Sequence, residues 1–191
     1  KQKSLCVELV PVEPYAFVPD PTTASIEDML GMAHEVPIPL HVIRTGQKQK
    51  RYRQDVKIEP MTQVSDSRLA YLDLSGCPIK DAVMITEWHG KVPAAYLASY
   101  MDPEDPLLQE PDEDAELELV EAIVTIANDS VVLSAKANPF HYEDRCFVAY
   151  QHDLVPGYFW GRGVPEKADN PQRGLDATVR ARIDALGIVA H

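Results

Sequence analysis

The sequence predicts an α+β fold: an antiparallel, β-rich domain with flanking helices and a C-terminal amphipathic helix leading away from it. Three observations carry this. The middle of the chain is a series of short apolar runs punctuated by glycine, proline and Asn-Asp-Ser turns. Within it, Glu118 to Ala127, the turn Asn128-Asp129-Ser130 and Val131 to Ala137 read as a hairpin. Near the end, Leu175, Val179, Ile183 and Leu186 recur at three- and four-residue spacing, the period of a helix.

In chain order, Leu5 to Val10 reads as a strand ended by Pro11 and Pro14, and Tyr15 to Val18 as a second, short one. Ser25-Ile26-Glu27-Asp28 carries a helix start, with Ile26, Met29, Leu30 and Ala33 facing inward, so a helix is expected near 24–34, ending before Pro37. A second short helix is expected near 40–50. Strands follow at Leu69 to Leu74 and at Ala82 to Trp88, with Val92 to Leu97 returning as hairpin partner of the latter. Ile123 breaks the alternation of Val120, Ala122, Val124 and Ile126, which suits a strand either covered on both faces or twisted. Cys146 to Tyr150 reads as the last strand. The chain divides into a β-rich domain over 1–157 and a corner plus helix over 158–191.

The corner is the most distinctive stretch. Pro156, Gly157, Gly161 and Gly163 turn the backbone around the anchor Tyr158-Phe159-Trp160. Asn170-Pro171 then supplies a helix start, with asparagine as N-cap and proline at the first helical position. Beside the apolar stripe lie Ala177, Ala181 and Ala185, and Asp176, Arg180 and Asp184 alternate in charge four residues apart.

The string FWGRGVPEK at Phe159 to Lys167, continued by NPQRGLDATVRARIDAL at Asn170 to Leu186, resembles the portal proteins of tailed bacteriophages, the head-to-tail connectors of the short-tailed type. The resemblance extends more thinly through Asn138-Pro139-Phe140, Cys146 to Tyr150 and the WHGKVP run at Trp88 to Pro93. It implies a wing-region piece of a subunit whose dodecameric ring sits at one capsid vertex, docks the terminase motor, tail adaptor and capsid proteins, and passes double-stranded DNA without reading its sequence. The implied location is the virion, and the host cytoplasm during assembly. Carried onto this chain, Gly161, Arg162, Gly163, Pro165 and Glu166 fix the corner, while Gln172, Leu175, Arg180, Arg182 and Asp184 lie on the helix entering the stem. Arg162 is expected to form a buried ion pair with Glu166. The opening at Lys1 and the apolar Ile188-Val189-Ala190 tail read as cut ends, so this piece alone is expected to be monomeric.

Charge separates function classes less sharply. The net charge is −12, which argues against a general nucleic-acid-binding surface and is compatible with a conduit wall that lets DNA slide. One basic stretch stands out: Arg44, Lys48, Lys50, Arg51 and Arg53, with Lys57 beyond. An acidic, proline-containing run from Asp102 through Glu121 reads as a loop. The two suggest a contact between neighbouring subunits.

The chemistry reads as non-catalytic. His34-Glu35 lacks the second histidine of a zinc-protease helix, because position 38 is Ile38. No histidine or cysteine pairing has metal-ligand spacing, and Gly161-Arg162-Gly163 lacks a third glycine, so no metal or cofactor is expected. Cys6, Cys77 and Cys146 are expected as buried free thiols. No apolar run is long enough to span a bilayer. Two rivals stand beside the structural reading: a small-molecule- or glycan-binding module needing Trp88, Tyr96, Tyr158 and Trp160 in one groove, and a hydrolase assembled from Glu87, His89, His141 and Asp153.

Overall fold

The structure is a computed structural model that describes residues 9–61, 81–101, 118–140 and 145–189. It is α+β: a five-stranded antiparallel sheet with three helices. The expected strand at Leu69 to Leu74 and the acidic run from Asp102 to Glu116 lie outside the described residues, as do Cys6, Cys77 and His141; of the strand expected at Leu5 to Val10 only Leu9 and Val10 are described, and both are exposed and outside any strand. The chain forms two compact units, one made of Lys1–Asp20 and Met29–Cys146, the other of Pro21–Asp28 and Phe147–His191.

The first unit holds the sheet. Its strands are β1 (Phe17–Pro19), β2 (Gly31–Pro39), β3 (Ala82–Pro93), β4 (Leu119–Ala127) and β5 (Val131–Ala137), paired in sequence order. Helix α1 (Leu40–Lys48) follows β2 directly, and α2 (Ala94–Tyr100) follows β3 directly. Side chains alternate between the two faces of a sheet, and each helix takes one face. Ile43 of α1 packs with Val83, Ile85, Ala127 and Leu133. Leu97 of α2, with Met101, packs with Ala122 and Ala135 on the opposite face.

Three expectations fail in this unit, each for a physical reason. Residues 24–34 form no helix: turns lead into β2, whose first residues Gly31, Met32 and Ala33 are all buried. Of the residues that suggested the helix, Ile26, Met29 and Leu30 precede β2, with Leu30 half exposed, and only Ala33 lies in the strand, so apolar residues of two different segments fell by chance at helical spacing. Nor does Pro37 break the chain. Because β1 pairs only with Met32, Ala33 and His34, the rest of β2 is an edge, where Pro37 and Pro39 remove no ladder bond. Val92 to Leu97 is not a returning strand. β3 runs on to Pro93, whose extended backbone (φ −57°, ψ 130°) ends it and opens α2, as Pro39 (φ −61°, ψ 139°) opens α1.

The β4–β5 hairpin forms as expected. Asn128 and Asp129 both take positive φ, 48° and 58°, the type I′ geometry that follows the twist of paired strands. The Asn128 side chain ties the turn down: Oδ1 accepts the Met84 amide at 3.1 Å, and Nδ2 donates to the Glu59 carbonyl at 2.9 Å. Glu121, grouped with the acidic loop by composition, is a buried residue of β4.

The second unit holds the corner and helix α3 (Val164–Val189). Residues 147–150 are not a strand; the corner instead closes through an isolated antiparallel bridge between Asp153 and Arg162.

Candidate assembly surfaces

The corner begins with a tight turn. The Tyr158 amide donates to the Val155 carbonyl at 3.1 Å across Pro156 and Gly157, and Gly157 has φ 82°, the conformation of the third residue in a type II turn. The chain then runs back alongside itself. Arg162 donates its amide to the Asp153 carbonyl at 2.9 Å, and the Gln151 side-chain amide donates to the Phe159 carbonyl. Gly161 is required by contact, since a Cβ there would lie 2.6 Å from the Asp153 carbonyl oxygen. The rings of Phe159 and Trp160 meet edge to face at 5.0 Å.

Helix α3 starts earlier than its sequence signal suggests. The Gly163 carbonyl accepts the Lys167 amide at 3.3 Å, Pro165 falls in the first turn and Glu166 complements the positive helix end. Pro171 therefore lies inside the helix rather than at its start. Interior proline forfeits a backbone hydrogen bond. Side chains span the weak turn: Arg173 pairs with Asp169 at 3.0 Å, and Gln172 donates to Asp176 at 3.1 Å. Upstream, Lys167 pairs with Asp153 at 2.8 Å and anchors the first turns to the corner. This ion pair holds the Asp153 carboxyl below its ordinary pKa. Arg162 does lie near Glu166, at 3.6 Å, but both side chains are more than half exposed, so the expected pair is a surface one. Its worth is correspondingly small.

No residue of α3 is buried. Leu175, Val179, Ile183 and Leu186 are 58%, 46%, 61% and 69% exposed, and Arg180, Arg182 and Asp184 are exposed alongside them. The stripe is a run of uncovered apolar side chains at helical spacing.

The basic stretch is held by its own loop. Arg51 donates its amide to the Gly46 carbonyl at 2.9 Å, and Tyr52 lies over Gly46, where a Cβ would come within 2.6 Å of its ring. Gln47 Nε2 donates to the carbonyls of Arg53 and Val56, both at 2.9 Å. The Arg53 amide donates to the Leu133 carbonyl at 2.8 Å, which fastens the loop to β5. The Arg53 side chain pairs with Asp55 at 2.6 Å and lies 5.6 Å from the centre of the Tyr100 ring. Lys57 pairs with Glu59 at 2.9 Å. Arg44, Lys48, Lys50 and Arg51 are exposed.

The sheet also gathers polar groups that sequence spacing did not link. Across β2 and β3, His34 stands opposite Glu87, and His89 lies two residues farther along the same face. The buried His89 has Nε2 3.8 Å from Glu87 Oε1 and Nδ1 3.8 Å from Cys146 Sγ. The interaction with His89 holds the Glu87 carboxyl below its ordinary pKa against desolvation, while burial lowers His34. Burial raises the Cys146 thiol. Cys146 is a free cysteine with an exposed residue surface, not the buried thiol expected. Nearby in sequence, Arg145 pairs with Glu121 at 2.6 Å, each side chain under a tenth exposed. Cross-strand register was the signal that could have joined His34 to Glu87; nothing in the sequence linked either to Cys146.

The rival sites fare as follows. Of the hydrolase set, Glu87 and His89 are adjacent, and Asp153 is occupied by Lys167 in the corner. Of the aromatic set, Trp88 is half-buried with its indole across the Gly31 backbone, where a Cβ would overlap the ring, while Tyr96, Tyr158 and Trp160 are exposed. Among the described residues, no three His, Cys, Asp or Glu side chains are arranged to hold a metal ion. No helix among them is long and apolar enough to cross a membrane. Compared with known proteins, the chain matches no protein-family model and no curated protein sequence.

Proposed function

We propose that this chain is a non-catalytic assembly subunit of the phage-portal kind, a part of the ring through which double-stranded DNA is packaged and ejected. The observation that carries the reading is α3: a 26-residue helix with an apolar stripe and no buried residue. Apolar surface left in water on this scale is unfavourable, at roughly 1.5–3 kcal/mol for each large side chain. Most helical stability in proteins comes from packing an apolar face, so α3, whose apolar face is unpacked, calls for a covering partner. The Gly-Arg-Gly-Val-Pro-Glu corner that resembles portal proteins is the segment that launches this helix, so the sequence likeness and the uncovered surface coincide. In this reading the docked partners are neighbouring copies, the terminase motor, the tail adaptor and the capsid, and the site of action is the portal vertex.

Negative-stain electron microscopy of the natural gene product, combined with native mass spectrometry, tests it. A closed ring with a central channel is expected. Particles without rotational symmetry at every concentration overturn the portal reading.

A further inference from the structure

A second surface, separate from α3, has the shape and charge of a peptide site. Where the loop after α1 crosses the edge of the sheet, an open groove of about 560 Å³ runs between that loop, the end of α2 and the last strand, β5. Among the described residues no strand pairs with the outer side of β5. Lys50, Arg51, Arg53 and Lys136 line the groove against the single carboxylate of Asp55. In a chain of net charge −12, that is a local reversal of sign. Its floor is apolar, with Met101, Leu133 and Ala135 buried there.

We infer that this groove binds an acidic, extended peptide, and that its occupant is residues 102–117 of a second copy of the chain. Those sixteen residues carry eight carboxylates and no basic side chain. Their Leu107-Leu108 pair matches the apolar floor between the cations. Pro103, Pro106 and Pro111 lack the backbone N–H that strand addition to β5 would use, which leaves recognition to side chains. The second copy as donor rests on the assembly reading above: a ring subunit presents the same acidic segment and the same groove to its neighbours, a head-to-tail contact that closes by rotation.

The probe is a fluorescently labelled peptide of residues 102–117, titrated by anisotropy against the full chain held at concentrations where it is monomeric. Binding is expected at low salt, weakening as salt rises. It falls at least tenfold in a Lys50→Glu, Arg51→Glu, Lys136→Glu variant that keeps the wild-type circular dichroism. The conservative Lys50→Gln, Arg51→Gln, Lys136→Gln form should fall between the two. A peptide with its carboxylates replaced by amides should not bind. A variant whose own 102–117 carboxylates are amides should bind the labelled peptide no more tightly than wild type does. Tighter binding by that variant places the segment in its own groove and overturns the second copy as donor. No binding at low salt, or equal binding by the charge-reversed form, overturns the site. An Ile183→Glu variant retains peptide binding if the groove acts independently of α3, so failure of the helix surface and failure of the groove are read separately.

Discussion

Glu121 and Arg145 form the most heavily desolvated ion pair among the described residues, at 2.6 Å with each side chain under a tenth exposed. A pair of this kind adds little net stability against apolar groups of similar size, but removing one member strands a buried charge at about 3–5 kcal/mol. Glu121→Leu and Arg145→Leu should each lower stability by that order in urea unfolding. The double variant should recover much of the loss, and additive losses contradict the pairing. A second residue-scale effect follows from titration. His34 has a folded pKa below its ordinary 6.5 and Glu87 one below its ordinary 4.5. In both cases the unfolded chain binds more protons at intermediate pH, so stability falls as pH falls. The His34 contribution is lost from about pH 6.5 downward through its folded value, that of Glu87 from about pH 4.5 downward. Unfolding midpoints between pH 8 and 4 should show this two-part decline, and His34→Gln should remove only the upper part. A flat profile down to pH 5 in wild type contradicts the role of His34.

At the scale of elements, what the sequence made legible depended on local chemistry. The β4–β5 hairpin was readable because Asn128 and Asp129 are suited to positive φ, and α1 was placed near its observed bounds. β2 was not readable. Its helical look came from Ile26, Met29 and Leu30, which precede the strand, taken together with Ala33, and its prolines are harmless only because β1 is three residues long, a fact of pairing rather than of sequence. The strand-proline-helix step occurs twice, at Pro39 and at Pro93, and the second was missed because Val92 to Leu97 is apolar enough to pass for a strand. In α3 the Asn170-Pro171 start signal lost to Gly163-Val164-Pro165-Glu166, which also carries first-turn proline and acid. α3 retains weak points at Pro171, Gly174 and, near its end, Gly187, and a Cβ at Gly174 meets nothing within 4 Å. Gly174→Ala should therefore stabilise α3 by about 0.5–1 kcal/mol, seen as slower amide exchange over the helix. Unchanged or faster exchange contradicts an open helical site.

For the whole molecule, the candidate surfaces were legible as residues but not as surfaces. Of the corner glycines named from sequence, Gly161 has a physical reason in the close approach of the Asp153 carbonyl, while a Cβ at Gly163 would make only an ordinary contact with Pro165. The stripe Leu175, Val179, Ile183 and Leu186 was legible from period, whereas its exposure was not, because periodicity is the same for a helix docked in its own core and for one awaiting a partner. The groove beside β5 draws on segments far apart in sequence, residues 50–55, 99–101 and 133–136, which no local pattern joins. The molecule thus carries two unlike surfaces, an apolar helix and a basic groove, and an assembly that used both should respond differently to salt at each: binding in the groove should weaken with screening while a helix contact should persist.

The central claim is that α3 is an association surface, and sedimentation equilibrium over a range of concentrations tests it most directly. At high salt, where the charged groove is screened, the wild-type chain should gain mass with concentration, in contrast to the monomer that its cut ends suggested in sequence, because the exposed stripe of α3 lies within the chain itself. An Ile183→Glu, Leu175→Glu variant of unchanged helicity should stay monomeric. A wild-type chain that stays monomeric throughout, or a variant that associates equally well, would contradict it.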